Sequence, residues 1–153
     1  MQGSIVGLFA APLGGVPKPK VQTLHVTENG CTGDKQNDLK HHGGPNRAVC
    51  LFSSEVLTTL THEGNPIFPG SVGENVLVQG IDWDSVQIGT QFHFKNVILE
   101  ITSDAPPCRT IKASFTNDEF TRISVKKYPF STRWYAKVIQ AGELITGESA
   151  TIN

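Results

Sequence analysis

Cys108 is the residue best suited to chemistry, because two prolines precede it and Arg109 follows it. The prolines stiffen the backbone, and the charge of Arg109 favours the thiolate, the form that attacks sulfur or carbon and binds metals. A free cysteine is also commonly a buried structural residue. That alternative suits Cys50, which lies in an apolar run, better than Cys108, and it leaves Cys31 undecided. We therefore predict that Cys108 is the reactive thiol.

A second polar segment combines two histidines, two glycines and an arginine: His41, His42, Gly43, Gly44 and Arg47. Because glycine has no Cβ, its backbone N–H can approach an anion, and the other three side chains add donors that suit phosphate or carboxylate. Adjacent side chains of an extended segment point to opposite sides, so at most one histidine faces such a site. A solvated loop between strands would have the same composition.

Glu74 and Asn75 form a third candidate, directly before the apolar run Val76 to Val78. A carboxylate and an amide at the start of a strand would lie at the edge of the sheet, where a ligand can reach them. Asn75 and the neighbouring glycines also fit a simple turn, whereas glutamate is not a favoured turn residue. The segment is either a part of the site or a turn.

The length of 153 residues suits one globular domain, residues 1–153, that positions these groups. With 13 Lys and Arg against 14 Asp and Glu, the chain lacks the positive field that nucleic-acid or anionic-membrane binding needs. An anion would therefore need a local site. No apolar run approaches the roughly 20 residues that span a bilayer. Three cysteines without a CxxC pair favour a reducing, cytoplasmic setting.

β-branched residues outnumber the stronger helix formers, and this balance favours sheet. Short runs bounded by Gly or Pro predict strands at Ser4 to Ala10, Val21 to Val26, Arg47 to Phe52, Asn75 to Val78, Val86 to Ile88, Gln91 to Phe94, Val97 to Thr102, and Leu144 to Ile145. A turn at Lys95-Asn96 predicts a hairpin. Many short strands indicate a barrel or a sandwich.

Two short helices are expected between these strands. Ser53 could cap a helix that carries Val56, Leu57 and Leu60 on one face. Ser131 could cap a second helix from Trp134 to Gln140, in which apolar residues recur four positions apart.

In combination, these motifs resemble the MOSC domain, found at the carboxyl end of molybdenum-cofactor sulfurases. The resemblance runs over nearly the whole chain and is carried by Gly14 to Lys18, Gly30 to Asp34, His41 to Val49, Glu55, Pro69 to Asn75, Gly80, Ile88-Gly89, Pro106 to Cys108, and Trp134 to Val138. It implies an all-β fold, a closed or partly open barrel of the pyruvate kinase β-barrel type with two or three short helices. Stand-alone bacterial members of about this size are known in the family.

The resemblance also implies roles for the candidate residues. The characteristic cysteine of the family matches Cys108, and in relatives this residue accepts sulfur as a persulfide or ligates the molybdenum of a pterin cofactor. Cys108 is thus the implied catalytic residue and metal ligand, and the cofactor is molybdopterin. Groups expected to bind its phosphate or orient the site are His41, His42, Gly43, Gly44, Arg47, Arg109, Glu74 and Asn75.

The printed sequence contains no pyridoxal-phosphate desulfurase domain, so a cysteine desulfurase-type sulfur donor or an electron-transfer protein is the expected partner. Gly147-Glu148 and Gly89-Thr90 replace Gly-Asp pairs common in the family. Two alternatives stay open: a molybdenum-dependent reductase component acting on N-hydroxylated compounds, and a non-catalytic anion-binding module. A zinc hydrolase is a weaker alternative, because the histidines and Cys108 lack a recognisable zinc spacing.

Overall fold

The computed structural model describes residues 2–35 and 44–153. Within these ranges the chain forms eleven strands: β1 Gln2–Phe9, β2 Lys20–Val21, β3 Thr23–Thr27, β4 Gly30–Cys31, β5 Val49–Ser53, β6 Val76–Gln79, β7 Gln91–His93, β8 Ile98–Ala105, β9 Arg133–Gln140, β10 Gly142–Ile145 and β11 Ser149–Ile152. The helix α1 spans Ser54–His62, and five short 3-10 helices span Pro45–Arg47, Trp83–Ser85, Arg109–Ser114, Thr116–Asp118 and Phe120–Ile123.

Seven of the strands form a closed barrel in the order β1, β6, β5, β9, β8, β7 and β11, and β11 pairs back onto β1. Closure removes the exposed edges that an open sheet would present. The strand β2 adds to β1 outside the ring, and β10, β3 and β4 form a separate three-stranded sheet. The prediction of an all-β barrel is confirmed.

The helix α1 connects β5 to β6, which are neighbours in the barrel and run parallel. A parallel pair needs a crossover of this kind, because a tight turn can join only antiparallel strands. Ser53 caps the helix by accepting a hydrogen bond from the backbone N–H of Val56 at 3.2 Å. Leu57 and Leu60 of this helix are buried, so the predicted first helix is confirmed.

The predicted second helix, Trp134 to Gln140, is wrong, because these residues lie in β9. This strand is paired on both sides, with β5 and β8. Residues four positions apart share a face in a strand as well as in a helix, so the recurring apolar residues did not distinguish the two. The aromatic and β-branched content of Trp134 to Ile139 favours the strand.

Other boundaries also differ from the predicted ones. No strand forms at Val86 to Ile88, which follow a 3-10 helix and leave Ile88 66 % exposed. A 3-10 helix occupies the start of the predicted strand Arg47 to Phe52, and β11 was not predicted. The hairpin at Lys95-Asn96 is confirmed by the antiparallel pairing of β7 with β8.

The apolar side chains form two main clusters, one inside the barrel and one beneath α1. The second cluster joins Phe52 and Leu60 to Ile111 and Ile123, which lie in the 3-10 helices after β8. This packing fixes the segment that follows Cys108. Across residues 2–35 and 44–153, no helix is both long and apolar enough to cross a membrane.

Candidate functional site

A cavity of about 470 Å³ lies where several loops meet the ends of β5, β8 and β9. Its volume is typical of small-molecule sites. The lining residues come from distant parts of the chain: Gly15, Val16, Lys18, Lys35, Arg47, Cys50, Val72, Gly73, Asn75, Pro106, Pro107, Cys108, Thr110, Ile111, Arg133 and Tyr135.

Cys108 lies on the wall of this cavity, in the short link between β8 and the next 3-10 helix. The carbonyl oxygen of Cys108 accepts a hydrogen bond from the backbone N–H of Ile111 at 3.2 Å, and Ile111 is buried. Of the three cysteines, Cys108 alone is not buried. Cys108 is therefore a partly exposed thiol on a loop at the cavity.

Cys31 and Cys50 differ from Cys108 in being buried, and burial raises their pKa values to about 12 and about 11. Since the thiolate is the reactive form, both are protected from alkylation in the folded chain. We expect iodoacetamide at neutral pH to modify one cysteine per native chain and three in denaturant. Peptide mass spectrometry should locate the native modification at Cys108. Native labelling of Cys50 at a comparable rate would contradict the described burial.

Among the residues that the structure describes, four cationic side chains line the cavity: Lys18, Lys35, Arg47 and Arg133. The Lys18 ammonium forms an ion pair with Asp34 at 2.6 Å, and both side chains are buried. Arg47 lies over the ring of Tyr135, with its guanidinium carbon 5.8 Å from the ring centroid. Burial raises the pKa of Tyr135, so its hydroxyl is a neutral donor. This lining suits an anionic ligand.

Asn75 joins three chain segments beneath the cavity. Its side-chain oxygen accepts from the backbone N–H of Cys50 at 3.0 Å, and its Nδ2 donates to the Phe9 carbonyl at 3.1 Å and to Asp34 at 2.8 Å. The residue is 1 % exposed. Asn75 therefore holds the wall of the cavity in place.

Arg133 begins β9 and holds two loops of the cavity together. Its Nη1 donates to the carbonyl of Val72 at 2.6 Å, and its Nη2 donates to the carbonyls of Ala105 and Pro106 at 3.1 and 3.2 Å. The residue is 4 % exposed. Through these bonds it fixes the loop that carries Cys108.

Glu74 is fully buried and lies outside the cavity lining, so it does not face a ligand. Its Oε2 accepts from the backbone N–H of Gly70 at 2.9 Å. Gly70 has a φ of 87°, and a Cβ there would lie 2.4 Å from the carbonyl oxygen of Lys18. Glu74 thus stabilises a tight turn, the alternative that its sequence position left open.

The pH dependence of stability should report on Glu74. Burial raises its pKa from 4.5 to about 7, although the Gly70 N–H and Arg133 lower it. Between these values the folded chain binds the proton more strongly than the unfolded chain does, so the free energy of unfolding falls as pH rises. The shift corresponds to about 3 kcal/mol. In urea titrations, we expect Glu74→Gln to gain about this much relative to wild type between pH 4.5 and 8.

The exposed Glu28→Gln is the matched control for this experiment and should follow the pH dependence of the wild type. A difference between Glu74→Gln and wild type that stays constant with pH would show that the Glu74 carboxyl does not titrate in this range.

The structure brings together some of the predicted residues and separates others. Arg47, Asn75 and Cys108 line one cavity, whereas Arg109 and Gly44 are exposed and lie outside its lining. Arg109 is therefore not a ligand-binding residue of this cavity, because the 3-10 helix that it begins turns it towards solvent. His41, His42 and Gly43 lie outside the described residues. Within the described ranges, no three His, Cys, Asp or Glu side chains cluster as metal ligands.

Sequence reasoning missed Lys18, Lys35, Arg133 and Tyr135. Lys18 ends the Gly-Gly-Val-Pro-Lys motif that helped to carry the resemblance, and this position was the available signal. The predicted second helix, Trp134 to Gln140, includes Tyr135 and begins directly after Arg133. If Arg133 to Gln140 is instead predicted as a strand, Arg133 stands at its start. The pairing of this strand with β8 then places Arg133 at the same end of the sheet as Cys108.

Comparison with known proteins covers most of the chain. A model of the MOSC domain matches residues 38–151. YflK from Bacillus subtilis is 26 % identical over 131 residues, covering 85 % of this chain and 58 % of YflK. YiiM from Escherichia coli is 25 % identical over 125 residues, covering 79 % of this chain and 55 % of YiiM. The chain thus spans about half the length of the curated relatives it matches.

Solved structures share the same architecture. The YUAD protein from Bacillus subtilis superposes with a TM-score of 0.75 at 19 % identity, covering 99 % of this chain and 96 % of that one. For YiiM from Escherichia coli the TM-score is 0.72 at 21 % identity, covering 100 % of this chain and 70 % of YiiM. These similarities confirm the barrel fold. With the family model matching about three quarters of its length, the chain belongs to the MOSC domain family.

Proposed function

We propose that this chain is a molybdenum-cofactor-binding domain in which the thiolate of Cys108 ligates the metal. MOSC domains are linked to the molybdenum cofactor, and the chain is one of them. The observation that carries the proposal is the position of Cys108, a partly exposed thiol on the wall of a cavity whose described lining includes four cationic side chains.

The residues present fit the chemistry of such a cofactor. A thiolate is a soft ligand and suits a molybdenum centre. The phosphate of a pterin cofactor needs donors, and the lining supplies ammonium and guanidinium groups. The cavity of about 470 Å³ is far larger than a single carried sulfur atom requires. When bound, the cofactor would supply a redox-active metal centre, and the chain would supply its position.

Each part of the lining has a separate task in this proposal. Lys35 and Arg47 attract and hold the anionic cofactor. Tyr135 offers a neutral hydroxyl as a donor. The hydrogen bonds of Arg133 to the Ala105 and Pro106 carbonyls keep Cys108 at the cavity wall. An electron-transfer partner would be needed for any turnover.

Elemental analysis of the chain, purified from cells supplied with molybdate, tests the proposal. We expect molybdenum to approach one atom per chain and to leave on denaturation together with a phosphorylated pterin. Protein that contains neither metal nor pterin under these conditions would contradict it.

A sulfur carrier is the second candidate, and the exposure of the Cys108 loop favours it. Pro106, Arg109 and Thr110 are exposed on either side of Cys108, as access by a donor protein would require. The Cys108 thiolate would attack the outer sulfur of a donor persulfide and form a new S–S bond, and the donor cysteine would leave as a thiolate, with no net oxidation. Intact mass spectrometry would then find an increment of about 32 Da that a reductant removes.

A further inference from the structure

Arg133 carries a positive charge that its hydrogen-bond partners in the described part of the chain do not neutralise. The partners of its guanidinium are the carbonyls of Val72, Ala105 and Pro106, which carry no net charge. Lys18, by contrast, is paired with Asp34 at 2.6 Å. The Glu74 carboxyl interacts with Arg133 electrostatically, but burial raises its pKa to about 7, so at neutral pH it is only partly ionised. A buried guanidinium whose acidic neighbour is only partly ionised is stabilised by a further negative charge.

One donor of this guanidinium also lacks an acceptor. The Nε of Arg133 is buried and has no hydrogen-bond partner in the part of the chain that the structure describes, although an arginine offers five N–H donors. Buried polar groups of native proteins are nearly always bonded, so an unmatched one needs an explanation. Arg133 lines the cavity beside Cys108.

We propose that Arg133 binds a compact oxyanion of the cavity ligand, a phosphate, sulfate or carboxylate, next to the sulfur of Cys108. The planar guanidinium matches the geometry of such groups. The inference rests on the proposed function in placing the ligand in this cavity, and it adds the chemical class of the group that lies beside the thiol. Arg133 then has two tasks, since its Nη atoms fix the loops and its positive charge holds the oxyanion of the ligand.

Alkylation of Cys108 by iodoacetate and iodoacetamide tests this directly. In both reactions the thiolate displaces iodide, but only iodoacetate carries a carboxylate. We expect the ratio of the iodoacetate rate to the iodoacetamide rate to fall about tenfold in Arg133→Gln, because a hydrogen bond to a charged group is lost. The charge-matched control is Arg109→Gln, whose exposed side chain lies outside the cavity, and its ratio should stay within about twofold of wild type.

A second pair of variants leaves Arg133 and its loop hydrogen bonds in place. A Cβ at Gly73 would lie 4.0 Å from Nη1 of Arg133, and at the φ of 81° there Asp and Asn are less strained than most other side chains. The carboxylate of Gly73→Asp should take the place of the ligand oxyanion, whereas Gly73→Asn has the same shape and strain without the charge. We expect inorganic phosphate, at constant ionic strength, to raise the melting temperature of wild type and Gly73→Asn but not of Gly73→Asp.

The outcomes separate this inference from the proposed function. If Cys108 reacts with both reagents at ratios equal in wild type and Arg133→Gln, and phosphate stabilises all Gly73 variants alike, the oxyanion site is wrong while the reactive thiol stands. If Cys108 reacts with neither reagent but phosphate distinguishes the Gly73 pair, the oxyanion site stands and the thiol proposal fails. If glycerol 2-phosphate raises the melting temperature of the wild type at lower concentrations than inorganic phosphate does, the site binds a phosphate ester rather than a free ion.

Discussion

Replacing Cys108 by serine should reduce the molybdenum retained by the purified chain by more than tenfold. The change exchanges a soft sulfur ligand for a hard hydroxyl of similar size, so the loss of the metal follows from the ligand and not from the fold. Changes in the outer shell of a metal site already cost about 10 to 100-fold in affinity, and a direct ligand should cost at least as much. Elemental analysis of both proteins, purified in parallel, measures the effect.

Cys31→Ser is the matched control, because Cys31 lies outside the cavity lining. It should retain molybdenum as the wild type does. The midpoint of urea unfolding should be close to wild type for Cys108→Ser, which shows that the fold is intact. Equal molybdenum contents in wild type and Cys108→Ser would exclude Cys108 as a ligand.

The largest effect on stability is expected for Asn75→Ala, at about 3 kcal/mol. The substitution removes the acceptor of the buried Cys50 N–H and the donors to the Phe9 carbonyl and to Asp34. A buried donor that loses its acceptor costs about 1 to 3 kcal/mol, and the other two bonds add to it. The shift of the urea midpoint at unchanged slope measures the effect.

The same experiment on Asn46→Ala provides the comparison, because Asn46 is exposed in the 3-10 helix Pro45–Arg47. Its free energy of unfolding should lie within about 0.5 kcal/mol of the wild type. If Asn75→Ala costs no more than Asn46→Ala, the network beneath the cavity does not hold the wall in place.

The sequence pattern of a short segment predicts an element correctly where its residues favour a single conformation. Ser53 followed by apolar residues at helical spacing identified α1, and the turn at Lys95-Asn96 between two predicted strands identified the hairpin. The spacing of apolar residues in β9 fits a helix and a strand equally well. The strand forms because β5 and β8 pair with it on both sides. Pairing partners distant in sequence leave no trace in a local window.

Residues of the candidate site also differ in whether local sequence features could predict them. Cys108 could be identified because its prolines and its place after a strand are local features. Glu74 and Asn75 are adjacent, yet Asn75 lines the cavity whereas Glu74 is fully buried and accepts from the Gly70 N–H. Arg133 became a candidate only when the barrel placed it between the loops of Val72 and Pro106. A contact across 61 residues cannot be derived from spacing.

X-ray absorption at the molybdenum edge tests most directly whether the Cys108 sulfur ligates the metal. The measurement counts the sulfur neighbours of the metal in wild type and in Cys108→Ser protein that has been loaded at high molybdenum-cofactor concentration. We predict one sulfur neighbour fewer in the variant, replaced by oxygen. The same number of sulfur neighbours in both proteins would contradict the account.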